Sequence, residues 1–79
     1  MARVLMFGRL ADLAGWRQRD IAVASLSALL AALCEAQPEL GAALTAPGVQ
    51  VALDQALVRG DAPLSDAAEV AYLPPMSGG

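Results

Sequence analysis

Histidine and lysine are absent from the 79 residues, and cysteine, phenylalanine, tyrosine and tryptophan occur once each. Without histidine the chain lacks the usual general base and the commonest metal ligand, which excludes hydrolytic triads and ordinary zinc sites. A lone Cys34 forms no internal disulfide, in keeping with a reducing compartment. With Leu30 and Leu33 close by, it is expected on or beside a buried helical face. So few aromatic residues leave the core to leucine and valine. Long apolar runs are missing too. The longest charge-free stretches, Ile21 to Cys34 and Leu40 to Leu53, fall short of the roughly 18–20 residues a membrane helix needs, and Pro47 and Gly48 break the second. Arg3 and Arg9 enclose too short an apolar segment for a signal sequence, whose apolar run is about 7–15 residues. The expected location is the cytoplasm, with no membrane contact.

Positive charge is scarce as well. Arg3, Arg9, Arg17, Arg19 and Arg59 stand scattered against eight acids, for a net charge of −3. Nucleic-acid binding needs a basic footprint, and none is present. An acidic surface suits docking on a basic patch of a protein partner, or serves solubility alone. The length fits one small domain, since chains of about 60 residues already fold alone.

What the chain does have is pattern. Arg3 to Phe7, rich in Val, Leu, Met and Phe and closed by Gly8, reads as a first strand. Arg9 to Ala14 is a short helical or turn segment ending at Gly15. Trp16 to Val23 turns from a polar cluster to Ile21 and Val23 at period two, a second strand. Ser25 then stands at the N-cap of an amphipathic helix whose Leu26, Leu29, Leu30 and Leu33 recur at i, i+3, i+4, i+7. Pro38 and Gly41 mark its expected end, with a turn-rich connection over Leu40 to Gly48. Val49 to Leu53 and Ala56 to Arg59 are strands joined by a tight turn at Asp54-Gln55, Gly60 to Ala68 holds turn formers, and Glu69 to Leu73 is the last strand.

The order β-β-α-β-β-β predicts an α+β fold of β-grasp type, a mixed sheet covered on one face by one main helix. Strand alternation places Val4, Met6, Val70 and Tyr72 on one face and Leu5, Phe7, Ala71 and Leu73 on the other. Both faces are apolar, and one helix covers only one. Phe7, Leu57 and Leu73 are therefore candidates for an exposed patch that binds a partner, unless loops or self-association bury them. Trp16 is either a further anchor or a cap on the core edge.

The most informative segment is Pro74-Pro75-Met76-Ser77-Gly78-Gly79. Two prolines fix φ and offer no N–H, so they end strand pairing and send the chain out extended. Gly78 and Gly79 carry no Cβ and fit a slot too narrow for any other residue. Five extended residues, 75–79, reach at most about 17 Å at roughly 3.3–3.6 Å each. The chain thus divides into a β-grasp body, 1–74, and a tail, 75–79. Fixing each tail residue costs roughly 1–2 kcal/mol with almost no apolar area to offset it, so the tail from Met76 is expected to be mobile alone and ordered in a partner.

These parts together resemble one family. Val4-Leu5-Met6-Phe7-Gly8-Arg9-Leu10 with Leu13 and Gly15, the helix from Ser25, Val51 to Gln55, and above all Glu69 to Gly79 are similar to the small subunit of molybdopterin synthase. The resemblance spans nearly the whole chain. It implies a ubiquitin-like sulfur carrier whose terminal Gly79, preceded by Gly78, is adenylated by a ubiquitin-activating-like adenylyltransferase using ATP. A sulfur donor protein then converts it to a thiocarboxylate. The large synthase subunit, in a heterotetramer, would use that sulfur to form the dithiolene of molybdopterin from a cyclic pyranopterin, placing the active site in the large subunit. Phe7, Leu57, Leu73, Pro74, Pro75, Met76 and Ser77 are then the partner-binding residues, and no bound cofactor or metal is implied. Two departures stand out. The family often has Asp-Gly-Asp where this chain has Asp66-Ala67-Ala68, a substitution costing about 1 kcal/mol if that position needs positive φ. Ala11 stands where arginine is common, which would remove one partner contact. Carriers for thiazole or cysteine synthesis share the Gly-Gly end, and a β-grasp protein modifier or plain interaction module is the reading from a different class.

Overall fold

A computed structural model describes residues 1–75. The element order is β1 (Ala2–Met6), α1 (Arg9–Ala14), β2 (Gln18–Ile21), α2 (Leu26–Ala36), α3 (Pro38–Leu44), β3 (Gln50–Leu53), β4 (Ala56–Val58) and β5 (Glu69–Leu73). The strands form one sheet in the order β2-β1-β5-β3-β4. β1 and β5 run parallel at its centre, and the other pairings are antiparallel. The five expected strands and the mixed β-grasp sheet are all present.

The covered face follows the alternation in the sequence. Val4 and Val70 are completely buried, with Met6 and Tyr72 beside them, and they meet Leu10, Leu29, Leu33, Leu40 and Leu44 from the helical layer. Burying a leucine of this kind contributes about 1.5–3 kcal/mol, so the leucine stripe of α2 carries much of the fold. Its start is fixed as expected: the Ser25 hydroxyl accepts the Ala28 N–H at 3.1 Å. A second acceptor was not legible. The Asp61 carboxylate takes the Ser27 N–H at 2.8 Å and the Ser27 hydroxyl at 2.9 Å, tying the loop after β4 to the first turn of α2.

Beside its main helix, α2, the covering layer holds the short helices α1 and α3. The segment expected to be a connection from Leu40 is α3, entered directly after α2 with Pro38 at its first turn. Proline there loses no intrahelical bond and its φ is already helical, so Pro38 starts a helix as well as ending one. Gly41 belongs inside α3 because the two helices lie very close. A Cβ on it would stand 2.5 Å from Cys34 Sγ and 2.7 Å from Cys34 Cα. Cys34 is half-buried at this seam, where its leucine neighbours placed it.

Trp16 caps the core edge. Its indole N–H donates to the Gln37 side-chain carbonyl at 3.1 Å, and the Gln37 amide donates to the Ala14 carbonyl at 2.8 Å. Arg19 lies over the ring at 5.4 Å. Ala11 is buried in the core on α1, so in this chain that position is packing rather than a partner contact. Ala67 carries no strain: Asp54 and Gln55 are the only non-glycine residues with positive φ among those described. The chain turns at Asp66-Ala67 with the Ala68 N–H donating to the Ser65 carbonyl at 3.1 Å, a turn that needs no glycine.

Candidate functional site: the open sheet face and the root of the tail

The face away from the helices is ordered in rows by strand register. One row runs Gln18, Leu5, Ala71, Ala52, Leu57 across all five strands. Leu73 pairs with Gln50 one step further along, with Phe7 just beyond the end of β1 on the same side. Leu57 is 61% exposed and Phe7 45% exposed. Leu73 is half-buried, because strands flank β5 on both sides, and so is less open than expected. The three candidate residues thus share one face. Ala71 and Ala52 form a low floor between the larger side chains at either end of the row. The opposite margin is charged, with Arg3 paired in register to Asp20 and Glu69.

The tail leaves from this surface at a fixed place. β1 is parallel to β5, so the end of β1 and the turn at Gly8 lie at the end of β5. β3 is antiparallel, so its beginning, with the turn at Gly48, lies there too. After Leu73 the prolines offer no N–H, and strand pairing stops. Pro74 and Pro75 are half-buried nonetheless. Pro74 sits against Gly8, where a Cβ would stand 3.0 Å from its Cγ. Pro75 sits against Gly48, where a Cβ would stand 2.9 Å from its Cβ. An open trough of about 580 Å³ follows β3 and β4 from Gly48 to Gly60 beside this point. Met76, Ser77, Gly78 and Gly79, including the expected mobility of the tail, lie outside the described residues.

The buried Tyr72 and the exposed Asp61 belong to the fold rather than to a reaction centre. Burial first, and then the neighbouring Cys34, push the Tyr72 hydroxyl up to about 12. The Ser27 N–H and hydroxyl hold the Asp61 carboxyl below its ordinary value. Among the described residues no group of His, Cys, Asp or Glu is arranged to hold a metal ion, and no helix is long and apolar enough to cross a membrane.

A mixed five-stranded sheet with all its helices on one face, launching its last segment from the central strand, defines a ubiquitin-like β-grasp protein. The chain belongs to the ThiS family, which it matches over residues 4–79. Solved structures share the fold throughout. The small archaeal modifier protein 1 of Methanosarcina acetivorans superposes with a TM-score of 0.88 at 20% identity, covering 99% of this chain and 95% of that one. Its counterpart from Haloferax volcanii gives 0.85 at 25% identity, covering 99% and 98%. A Pyrococcus furiosus protein assigned as molybdopterin converting factor subunit 1 gives 0.81 at 22% identity, covering 95% and 97%. No curated protein matches the chain. The family makes it a ubiquitin-like sulfur carrier or modifier.

Proposed function

We propose that this chain is the sulfur-carrier subunit for molybdopterin synthesis, working through a thiocarboxylate at Gly79. The observation that carries the reading is the family match extending through Gly79, joined to a closing segment, Glu69 to Gly79, that resembles that of molybdopterin synthase small subunits. In the proposed sequence the Gly79 carboxylate attacks the α-phosphorus of ATP and pyrophosphate leaves. The outer sulfur of a donor persulfide then displaces AMP from the acyl adenylate to give an acyl disulfide, and a second thiol attacks the donor's sulfur, leaving the thiocarboxylate on Gly79 and a disulfide on the donor side. The activation is needed because a free carboxylate is a poor electrophile. The body contributes no reacting group: it docks, and the tail delivers. The partners are the large synthase subunit, which carries the active site, an adenylyltransferase and a sulfur donor, all in the cytoplasm. The docking surface is the open face bearing Phe7, Leu57 and Leu73.

A second reading is favoured by the two archaeal modifier proteins among the structural relatives. There Gly79 would be joined to lysines of other proteins, and the absence of lysine in this chain would prevent it from extending chains on itself. Intact mass after incubation with ATP, an activating enzyme and a sulfur donor decides between them. A gain equal to the difference between sulfur and oxygen is expected for the carrier. Adducts in which the chain is joined to lysines of added proteins, with no sulfur-for-oxygen gain in the unjoined chain, would establish the modifier.

A further inference from the structure

The open face explains where the body docks but not what aims the tail, and Gly8 and Gly48 supply that. We propose that these two glycines are positioning residues: seats without a Cβ, one on each side of β5, that hold Pro74 and Pro75 and fix the direction in which the chain leaves the sheet at Pro75. The inference rests on the reading of Gly79 as the reactive end and adds what directs it.

Three observations carry it. First, the topology brings both turns to one place, since parallel β1 and antiparallel β3 each present a loop at the end of β5. Second, the contacts are close and specific. A Cβ on Gly48 would stand 2.9 Å from Pro75 Cβ, 3.4 Å from its Cγ and 3.6 Å from its Cα, and a Cβ on Gly8 would stand 3.0 Å from Pro74 Cγ. Third, the molecule contains its own comparison. Gly15 and Gly60 have φ of +83° and +77°, close to the +90° of Gly48, yet nothing lies within 4 Å of where their Cβ would be. Backbone conformation alone accounts for Gly15 and Gly60. At Gly8 and Gly48 the missing side chain also makes room for a proline ring. Prolines so seated have few ways to move, because the ring already fixes φ and the seat restrains the rest. Misdirecting a reactive end by about 1 Å is enough to slow a reaction roughly a hundredfold.

The matched pair Gly48→Ala and Gly60→Ala tests this, since both strain the backbone and only the first reaches a proline. A spin label at position 79, attached through Gly79→Cys in a Cys34→Ser background, reports the tail's direction by the amides it broadens. The broadening map is expected to be the same with Gly60→Ala as without it, and to change with Gly48→Ala. Identical maps for all three overturn the proposal, whatever the chemistry at Gly79. In the unlabelled chain, adenylation by the activating enzyme is expected to lose roughly tenfold or more in kcat with Gly48→Ala while KM changes little, and to keep its kcat with Gly60→Ala. Equal losses for the two variants would reduce Gly48 to a fold residue. Gly8→Ala gives a rescue: Pro74→Ala removes the Cγ and leaves the Cβ at 3.9 Å, so Gly8→Ala should slow adenylation in the parent and not in the Pro74→Ala background. A slowing of the same size in both backgrounds counts against the seat. A parent chain that forms no adenylate refutes the carrier reading, and the broadening maps still decide the seats.

Discussion

Asp61 and Ser27, 34 residues apart, are joined by two hydrogen bonds at 2.8 and 2.9 Å, so a loop carboxylate closes the first turn of the main helix. Both donors favour the charged form and hold its pKa below 3.8. A depressed folded pKa contributes stability that is present above the unfolded value and lost as pH falls through the folded one. Asp61→Asn should therefore lower the melting temperature at neutral pH, and the gap from the parent should close as pH drops below about 4. Thermal melts across that range check it, and a gap independent of pH would remove the charged interaction.

Tyr72 gives the opposite limb. Its hydroxyl titrates at about 12 in the fold, against about 10 in an unfolded chain, so the fold favours the neutral phenol. Stability from this group is complete below about pH 10 and is lost as pH rises toward 12. The chain has a single tyrosine, so tyrosinate absorbance reports it alone. A native midpoint near the denatured one would show that the ring is solvated.

Docking on the open face is best tested where burial is least. Leu57→Asp and Phe7→Asp should weaken binding to the large subunit roughly tenfold or more, with melting temperatures near the parent's, if these are anchors of the interface. Leu73→Asp should weaken binding and stability together, because that side chain is half-buried between two strands. Calorimetric titration with the large subunit measures the first effect, and unchanged affinity in both exposed variants would move the interface elsewhere.

The hairpin between β3 and β4 turns through Asp54 and Gln55, both at positive φ. Asp54 is retained by its side chain, which accepts the Glu69 N–H at 2.9 Å. Gln55 has no such tie. Gln55→Gly should raise stability by up to about 1 kcal/mol by relieving the left-handed backbone, measured by denaturant unfolding.

At the other end of the chain, removing Gly79 or adding a residue after it should abolish thiocarboxylate formation and leave the melting temperature unchanged. Gly79→Ala should slow transfer far more than it weakens binding. Full sulfur transfer by an extended, uncleaved chain would show that the reactive group lies elsewhere.

The strands and the β-grasp order were legible because alternation survives in short segments: Val4 and Met6 against Leu5 and Phe7, Val70 and Tyr72 against Ala71 and Leu73. Ser25 was legible because a cap acts within its own helix. The rest depended on neighbours distant in sequence. Pro38 and Gly41 read as breakers, yet one starts α3 and the other lets it approach Cys34. Gly8 and Gly48 read as punctuation, since nothing local announces that a proline from the last segment will rest on each. The partial burial of Leu73 required knowing that β5 is central, which is a fact of strand order rather than of pattern.

The place of β5 also governs how the molecule comes to exist. The strand nearest the tail is the one that joins β1 to β3, so without it the β1–β2 and β3–β4 hairpins have no strand between them. Pairings between the first and last strands are long-range and slow to form, because a long loop must close before they are rewarded. The two antiparallel pairs are local, and only β5 joins them into one sheet. The complete open face therefore exists only once β5 is paired, and a partner that recognises that face meets only molecules in which the strand leading into the tail is already in place.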